Sequence, residues 1–368
     1  MLNNNERIKA LDGLRGICCI PIVLLHYYGT ALNLHGSEIP ISEMPFSSIL
    51  GYFYEYGGMF VDVFFWLSGF LIARSYKDRL REMKLSDYLK SRFRSLYPMV
   101  FASITVGIVI SSVDDIFFAS RCVAKPIDLW RIILSYSLLH TGWIYETDVM
   151  PFGSGVWFVC ALLKCYVIYW IVSNKISKKN YLLSLFVLFF AGWASHAGRI
   201  NTVIVDTSLL DFFGGTLLHE FMYGSLSNLL KTNISKGQKT IISLIIAALI
   251  GISFVMGGIS PDIIIMVIIP LMIYYCSEIE WTSRILESAP FQRLGKMSMS
   301  IYLSHNHALC ISSIMIVLFK MNTRLTDISA FVAIMLTVFA VSIMWYRLIQ
   351  VRFVPFFNKM IKKLFVNW

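Results

Sequence analysis

Residues 11–29 read LDGLRGICCIPIVLLHYYG. This is the first of a series of apolar runs, and it carries two groups that hydrocarbon disfavours: Arg15 near one end and His26 deep inside. Ionisable groups within membrane helices are rare and costly, and they usually face a bundle interior or a water-filled cavity. At 1.5 Å per residue, Arg15 and His26 stand about 16 Å apart along a helix axis. With Arg15 at one membrane face, His26 lies past the midplane. The pair implies an anion held at that face and proton chemistry deeper in.

Composition sets the class. Of 368 residues, 57% are hydrophobic and 15% charged, with mean hydropathy +0.67; a soluble domain carries about 25% charged residues. Apolar runs near the spanning length of about 18 residues recur along the whole chain. The expected fold is all-α, a polytopic integral membrane protein with about ten transmembrane helices, placed near 11–31, 58–76, 95–112, 155–173, 181–198, 210–230, 239–257, 262–277, 297–319 and 328–349. A further segment, WRIILSYSLLHTGW at 130–143, is short and carries Arg131 and His140.

Lys and Arg placement orients these spans. With the N-terminus cytoplasmic and 130–143 not crossing, 25 of the 32 Lys and Arg residues fall inside and six outside, with Lys164 within a span. This obeys the positive-inside rule. If 130–143 crossed, the Lys-rich loops that follow would invert. It is therefore expected to be one re-entrant or interfacial helix, its Trp130 and Trp143 suited to a membrane interface. Both termini are expected in the cytoplasm, in a bacterial inner (cytoplasmic) membrane, with no cleavable signal peptide. One domain is expected over 1–368, with a core at about 8–350 and a basic cytoplasmic tail at 351–368. The net charge of +10 sits in short loops, so it reads as a topology signal and not as a nucleic-acid footprint. The basic segment 77–94 reads as an amphipathic surface helix, either an anchor on anionic lipid or the mouth for an anionic cosubstrate. Six of the seven cysteines lie in apolar spans and Cys122 stands alone outside. Their spacing suggests neither a metal site nor a disulfide.

Five stretches, in order, resemble the membrane-bound acyltransferase 3 family: LDGLRGICCIPIVLLHYYG (11–29), GGMFVDVFFWLSGFLIARSY (57–76), KSRFRSLYP (90–98), VWFVCALL (156–163) and LGKMSMSIYLSH (294–305). The first includes the family's arginine-ten residues-histidine spacing, at Arg15 and His26. Two departures stand out. Where the family often has R-x-x-R-I-x-P, Arg92 is followed here by Arg94, with Ser95 in the second arginine's usual place. The glutamate of a W-S-L-x-x-E element is absent after Trp157 and Phe158, which leaves the substrate open.

The resemblance implies an enzyme, an acyltransferase moving acyl groups other than amino-acyl groups. It implies transfer of an acetyl group from cytoplasmic acetyl-CoA, or another acyl-CoA, to a hydroxyl of an envelope polysaccharide or glycolipid. The expected partners are the acyl-CoA cosubstrate, a cell-surface glycan or lipid-linked sugar, and membrane lipids; no metal and no nucleic acid is expected. The residues can be fitted to that chemistry. Arg15, Arg92 and Arg94 lie at the cytoplasmic side, where guanidinium forks suit coenzyme A phosphates. His26 suits a general base, and Asp62, just inside the outer end of the second span, is expected to orient it. His305 is expected as a second polar contact in the reaction cavity, and His307 as structural. The bland readings are a helix–helix hydrogen bond for His26 and a helix cap for Asp62. Ser68, beside Gly69, reads as a close-packing site before a nucleophile. His219 and Glu220 either hold helices together or line the acceptor side, and Lys164 has no assignment. Two other classes stay open: a transporter or flippase of a lipid-linked glycan, and a non-catalytic sensing protein.

Overall fold

The structure is a computed structural model that describes residues 7–36, 38–77, 79–114, 128–144, 150–153, 155–200, 202–227, 261–319 and 324–364. Its elements are helices, in the order α1 Lys9–His35, α2 Ser47–Tyr56, α3 Met59–Tyr76, α4 Leu85–Val113, α5 Leu129–Ser137, α6 Val156–Lys175, α7 Lys178–His196, α8 Thr207–Met222, α9 Ile269–Glu278, α10 Glu280–Leu286, α11 Ala289–Leu318, α12 Ile328–Trp345 and α13 Val354–Leu364. No β-strand occurs among the described residues. Short π-helical stretches, Ile264–Ile268 and Tyr346–Phe353, lead into α9 and join α12 to α13.

By length and apolarity, α1, α3, α4, α6, α11 and the continuous Ile328–Leu364 helix suffice to cross a membrane. The helix of α9 and α10, bent by 88°, makes a seventh candidate. Helices also stand where spans were expected at 181–198 and 210–230. There α7 has 19 residues and α8 only 16, or about 24 Å for α8 against a hydrocarbon core near 30 Å. The expected span at 239–257 lies outside the described residues.

Two expectations about local structure are corrected, at the segment 77–94 and at Cys310. The basic segment 77–94 does not form a separate surface helix: residues 79–83 turn, and Leu85 onward is the opening of α4, running without a break into its apolar part. The tail from 351 is helical to Leu364, because the Tyr346–Phe353 stretch carries α12 straight into α13. Cys310 is disulfide-bonded, whereas Cys18, Cys19, Cys160, Cys165 and Cys276 are free. Pairs distant in sequence leave no spacing signal, so this bond was not legible. The segment 130–143 opens with a short helix. Asp128 caps α5 by accepting from the backbone of Trp130 and Arg131, and nine residues, about 14 Å, are too few to cross. Arg131 is held there by its Nε, which donates to Met150 O at 2.6 Å, and by its guanidinium 4.2 Å from the Phe152 ring centre.

The described residues gather into two compact units. The first takes in 1–18, 59–85 and 164–296. Its core is α3 against α8, brought close by glycine. A Cβ at Gly69 would lie 1.9 Å from Phe212 O, and one at Gly215 2.0 Å from Trp66 O, so neither helix has room for a side chain there. In the same unit Gly16 lies against Gly295, where a Cβ would meet the Gly295 backbone nitrogen at 2.5 Å, which fixes the turn of α1 that carries Arg15.

The second unit takes in 19–58, 86–163 and 297–368. Hydroxyl groups link its helices. The Tyr27 hydroxyl donates to Leu325 O at 2.6 Å, Ser304 and Ser342 meet at 3.1 Å, and Ser300 donates to Gln350 at 2.7 Å. On α13, Phe357 packs on Tyr97 and Phe101 of α4, and the Asn358 amide donates to Arg94 O at 3.0 Å.

Candidate active site

His26 and His305 come together. Their ring centres are 4.9 Å apart, with planes tilted by 43°. His26 lies on the part of α1 that belongs to the second unit, and His305 on the corresponding part of α11. The His305 Nδ1 lies 3.1 Å from Ile301 O. A carbonyl oxygen only accepts, so in the neutral ring Nδ1 carries the hydrogen and Nε2 the lone pair. That Nε2 is buried and has no hydrogen-bond partner among the described residues. A buried nitrogen left open in this way is costly to a purely structural side chain.

The His26 ring opens onto a cavity of about 160 Å³. Two helical stripes line it. Residues 26, 29, 30 and 33 of α1 form one and residues 306, 310 and 313 of α11 the other, both at the three-, four- and seven-residue spacing of a helix face. The polar lining comes from His26, Thr30, Asn33, Asn306 and Ser313. Among the described lining residues none is Lys, Arg, Asp or Glu. The imidazole therefore lines a polar hollow.

His307, two positions on, is taken up elsewhere. It meets Ser103 at 3.0 Å and stacks on Trp345 with ring centres 5.6 Å apart, as befits its expected structural role.

Asp62 lies in the first unit, where its carboxyl hydrogen-bonds that of Asp211. Trp66 Nε1 donates to Asp211 Oδ1 at 3.1 Å, so this acid pair is tied into the α3–α8 contact. Lys164, unassigned from sequence, is 2% exposed and pairs with Asp206 at 2.5 Å; Asp206 also caps α8 by accepting from Ser208 N at 3.0 Å. Glu220 pairs with Lys77 at 2.7 Å and accepts from Ser225, while the His219 ring packs on Phe70 and Tyr223. Of the two readings left open for His219 and Glu220, these contacts match the holding of helices. Gly69 likewise serves close packing, as expected for the Ser68–Gly69 step.

The arginines divide between the units. Arg15, in the first, reaches Asp12 at 3.4 Å; Asp12 also takes Arg7 at 2.5 Å, and this bond raises the Arg7 pKa from its ordinary value. Arg92 and Arg94 are in the second unit, near the start of α4. Two positions apart, they point about 200° from each other around the helix. Arg92 is half-buried beside Tyr88; Arg94 is exposed.

The family of the acyltransferase domain, acyltransferase 3, matches residues 8–347. The chain belongs to the acyltransferase 3 family. The match takes in both histidines and all three arginines. A relative from Rhizobium radiobacter, described as "Protein 2 in picA locus", is 36% identical over 96 residues, which is 26% of this chain and 40% of that protein. The chain thus matches well under two thirds of that relative's length. No solved structure matches. Several long apolar helices, together with membership of the acyltransferase 3 family, are consistent with an integral membrane protein. The sequence missed Asn33 and Asn306. Their signal was present in the helical spacing from His26 to Asn33, which shares the face of the histidine.

Proposed function

We propose that this protein is a membrane O-acyltransferase that moves an acetyl group from cytoplasmic acetyl-CoA to a hydroxyl of an envelope polysaccharide or glycolipid. The observation that carries the reading is the His26 imidazole, set in a polar cavity with the open Nε2 of His305 beside it. Family membership supplies the acyl transfer. Donor, acceptor and direction belong to this proposal.

In this reading His26 takes the proton of the acceptor hydroxyl as its oxygen attacks the thioester carbonyl. The tetrahedral intermediate collapses with cleavage of the carbon–sulfur bond, and the proton passes to the departing thiolate, giving an ester and free coenzyme A. A positioned base contributes about 10²–10⁴-fold. His305 lies beside the reacting groups as a second polar contact. For the coenzyme A phosphates the resemblance offers the guanidinium groups of Arg15 in the first unit and of Arg92 and Arg94 in the second. Asp62, engaged with Asp211, is given a packing role here in place of the orienting role first expected. The protein sits in the bacterial inner membrane with about ten spans, both termini cytoplasmic and one domain over the chain. The disulfide at Cys310 supports this orientation, since such bonds persist in oxidising compartments and Cys310 lies in the outer half of its span.

The test is transfer of labelled acetyl from acetyl-CoA to envelope carbohydrate in membranes holding the wild type or His26→Ala at equal protein level. Loss of labelling in the variant supports the reading. Unchanged labelling removes His26 from the mechanism, and normal acetylation with lost glycan export would favour a transporter.

A further inference from the structure

The helix α13, Val354–Leu364, divides into three flanks. The first is spent on α4: the buried Phe357 ring packs on Tyr97 and Phe101, and the Asn358 amide donates to Arg94 O at 3.0 Å. The second is apolar and uncovered. Phe356, Met360 and Leu364, each four residues from the next and so on one stripe, are 63%, 39% and 66% exposed. The third is basic. Lys359, Lys362 and Lys363 are exposed and adjoin the apolar stripe, with Lys363 about 20° from Phe356 around the axis. No Asp or Glu occurs from 328 to 364, and among the described residues no ion pair involves these lysines. The contacts with α4 show where this helix stands. Lys90, Arg92 and Arg94 precede a run, 95–113, without a charged residue, and such a change marks the edge of the hydrocarbon. By meeting Arg94, Tyr97 and Phe101, α13 begins at that edge. An apolar stripe left in water there is unfavourable, and lysines gathered without acids repel one another. One occupant relieves both, with acyl chains against the stripe and phosphates against the lysines, as at an interfacial amphipathic helix.

We infer that α13 is a docking site for anionic phospholipid in the leaflet at the start of α4, which is the cytoplasmic leaflet in the orientation proposed above. Phe356, Met360 and Leu364 enter the acyl chains, and Lys359, Lys362 and Lys363 hold headgroup phosphates. A zwitterionic headgroup carries its own ammonium beside the phosphate, so three lysines favour a net-negative one. The inference stands apart from the acyl-transfer reading, since it uses neither His26 nor a cosubstrate.

The experiment is hydrogen exchange of the full chain, one copy per lipid nanodisc, in phosphatidylcholine alone and in an equal mixture of phosphatidylcholine and phosphatidylglycerol. Both leaflets then have the same composition, so the result does not depend on orientation. Residues 354–364 exchange about fivefold more slowly in the mixture, the worth of roughly one lysine at an anionic surface. High salt, which screens surface charge, removes the difference. The triple variant Lys359→Gln, Lys362→Gln, Lys363→Gln removes it at low salt, with exchange in phosphatidylcholine alone and affinity for acetyl-CoA both unchanged. Phe356→Ser with Met360→Ser speeds exchange in both lipids. Equal exchange of the wild type in the two lipids overturns the inference, as does a difference that survives high salt or the triple variant. Weakened acetyl-CoA binding in the triple variant, with the lipid difference kept, gives the lysines to the cosubstrate instead. Protection confined to discs that hold two copies gives the apolar stripe to a second copy of this chain. Should the triple variant fail to fold, the salt dependence of the wild type decides.

Discussion

Two clusters of polar groups, one in each unit, meet different partners. In the first, charged side chains pair with one another, although Glu220 Oε1 is buried without a hydrogen-bond partner among the described residues. Lys164 pairs with Asp206, Lys77 with Glu220, and Asp62 with Asp211. In the second, His26 lines a cavity with no Lys, Arg, Asp or Glu among its described lining residues, and the buried His305 Nε2 has no hydrogen-bond partner among the described residues. A polar residue inside a membrane helix is a candidate for function, but its partners decide the matter. The ion pairs join helices of the first unit, whereas His26 lines a cavity of the second.

The sharpest way to break this contrast is to substitute one member of each kind. His26→Asn should lower acetyl transfer by about 10²–10⁴-fold, the worth of a positioned base, with the unfolding midpoint of the purified protein unchanged. A loss of stability in step with activity would make His26 a packing residue like those of the first unit. Lys164→Met should do the reverse. Leaving Asp206 unpaired should cost about 3 kcal/mol of stability, read as a lower unfolding midpoint, with the kcat of the surviving protein near wild type. The double variant Lys164→Met, Asp206→Asn should recover part of that loss, because the uncompensated charge is gone while an amide can still cap α8. Next in size, Gly215→Ala places a methyl group 2.0 Å from Trp66 O and should destabilise the α3–α8 contact by about 1–3 kcal/mol, again visible in unfolding and not in the KM for either substrate. The smallest effect is expected at Asn358→Ala. It removes one hydrogen bond from α13 to Arg94 O, worth about 1 kcal/mol, and should appear as faster hydrogen exchange at the C-terminal helix.

Much of this was legible in the residues. The apolar runs located α1, α3, α4, α6, α11 and α12, since a spanning helix must be apolar along its whole length. Charge placement found the short helix at 129–137 for the same reason that Arg131 and His140 would be costly in lipid. The arginine–histidine spacing picked out His26, and the helical face it defines continues to Gly29 and Asn33. What escaped depends on contacts between distant segments. Nothing near Lys164 points to Asp206, 42 positions away, nor anything near Asp62 to Asp211. Both are met only when α6 and α3 pack against α8 and the loop before it. Asp62 is the clearest case: its like depth to His26 on antiparallel spans suggested a histidine neighbour, and only the packing of α3 on α8 shows that Asp211 lies beside it. Likewise, the sequence read a basic surface helix at 77–94 because charge and apolar periodicity change there, but helix propagation carries α4 through that change without a break.

The central claim is that the His26 imidazole removes the proton from the acceptor. Adding free imidazole to purified His26→Ala, with acetyl-CoA and an accepted glycoside, tests it most directly. The account predicts a variant that folds and binds acetyl-CoA, transfers almost nothing alone, and regains transfer in proportion to the unprotonated imidazole added. Wild-type rates in His26→Ala without imidazole would contradict it.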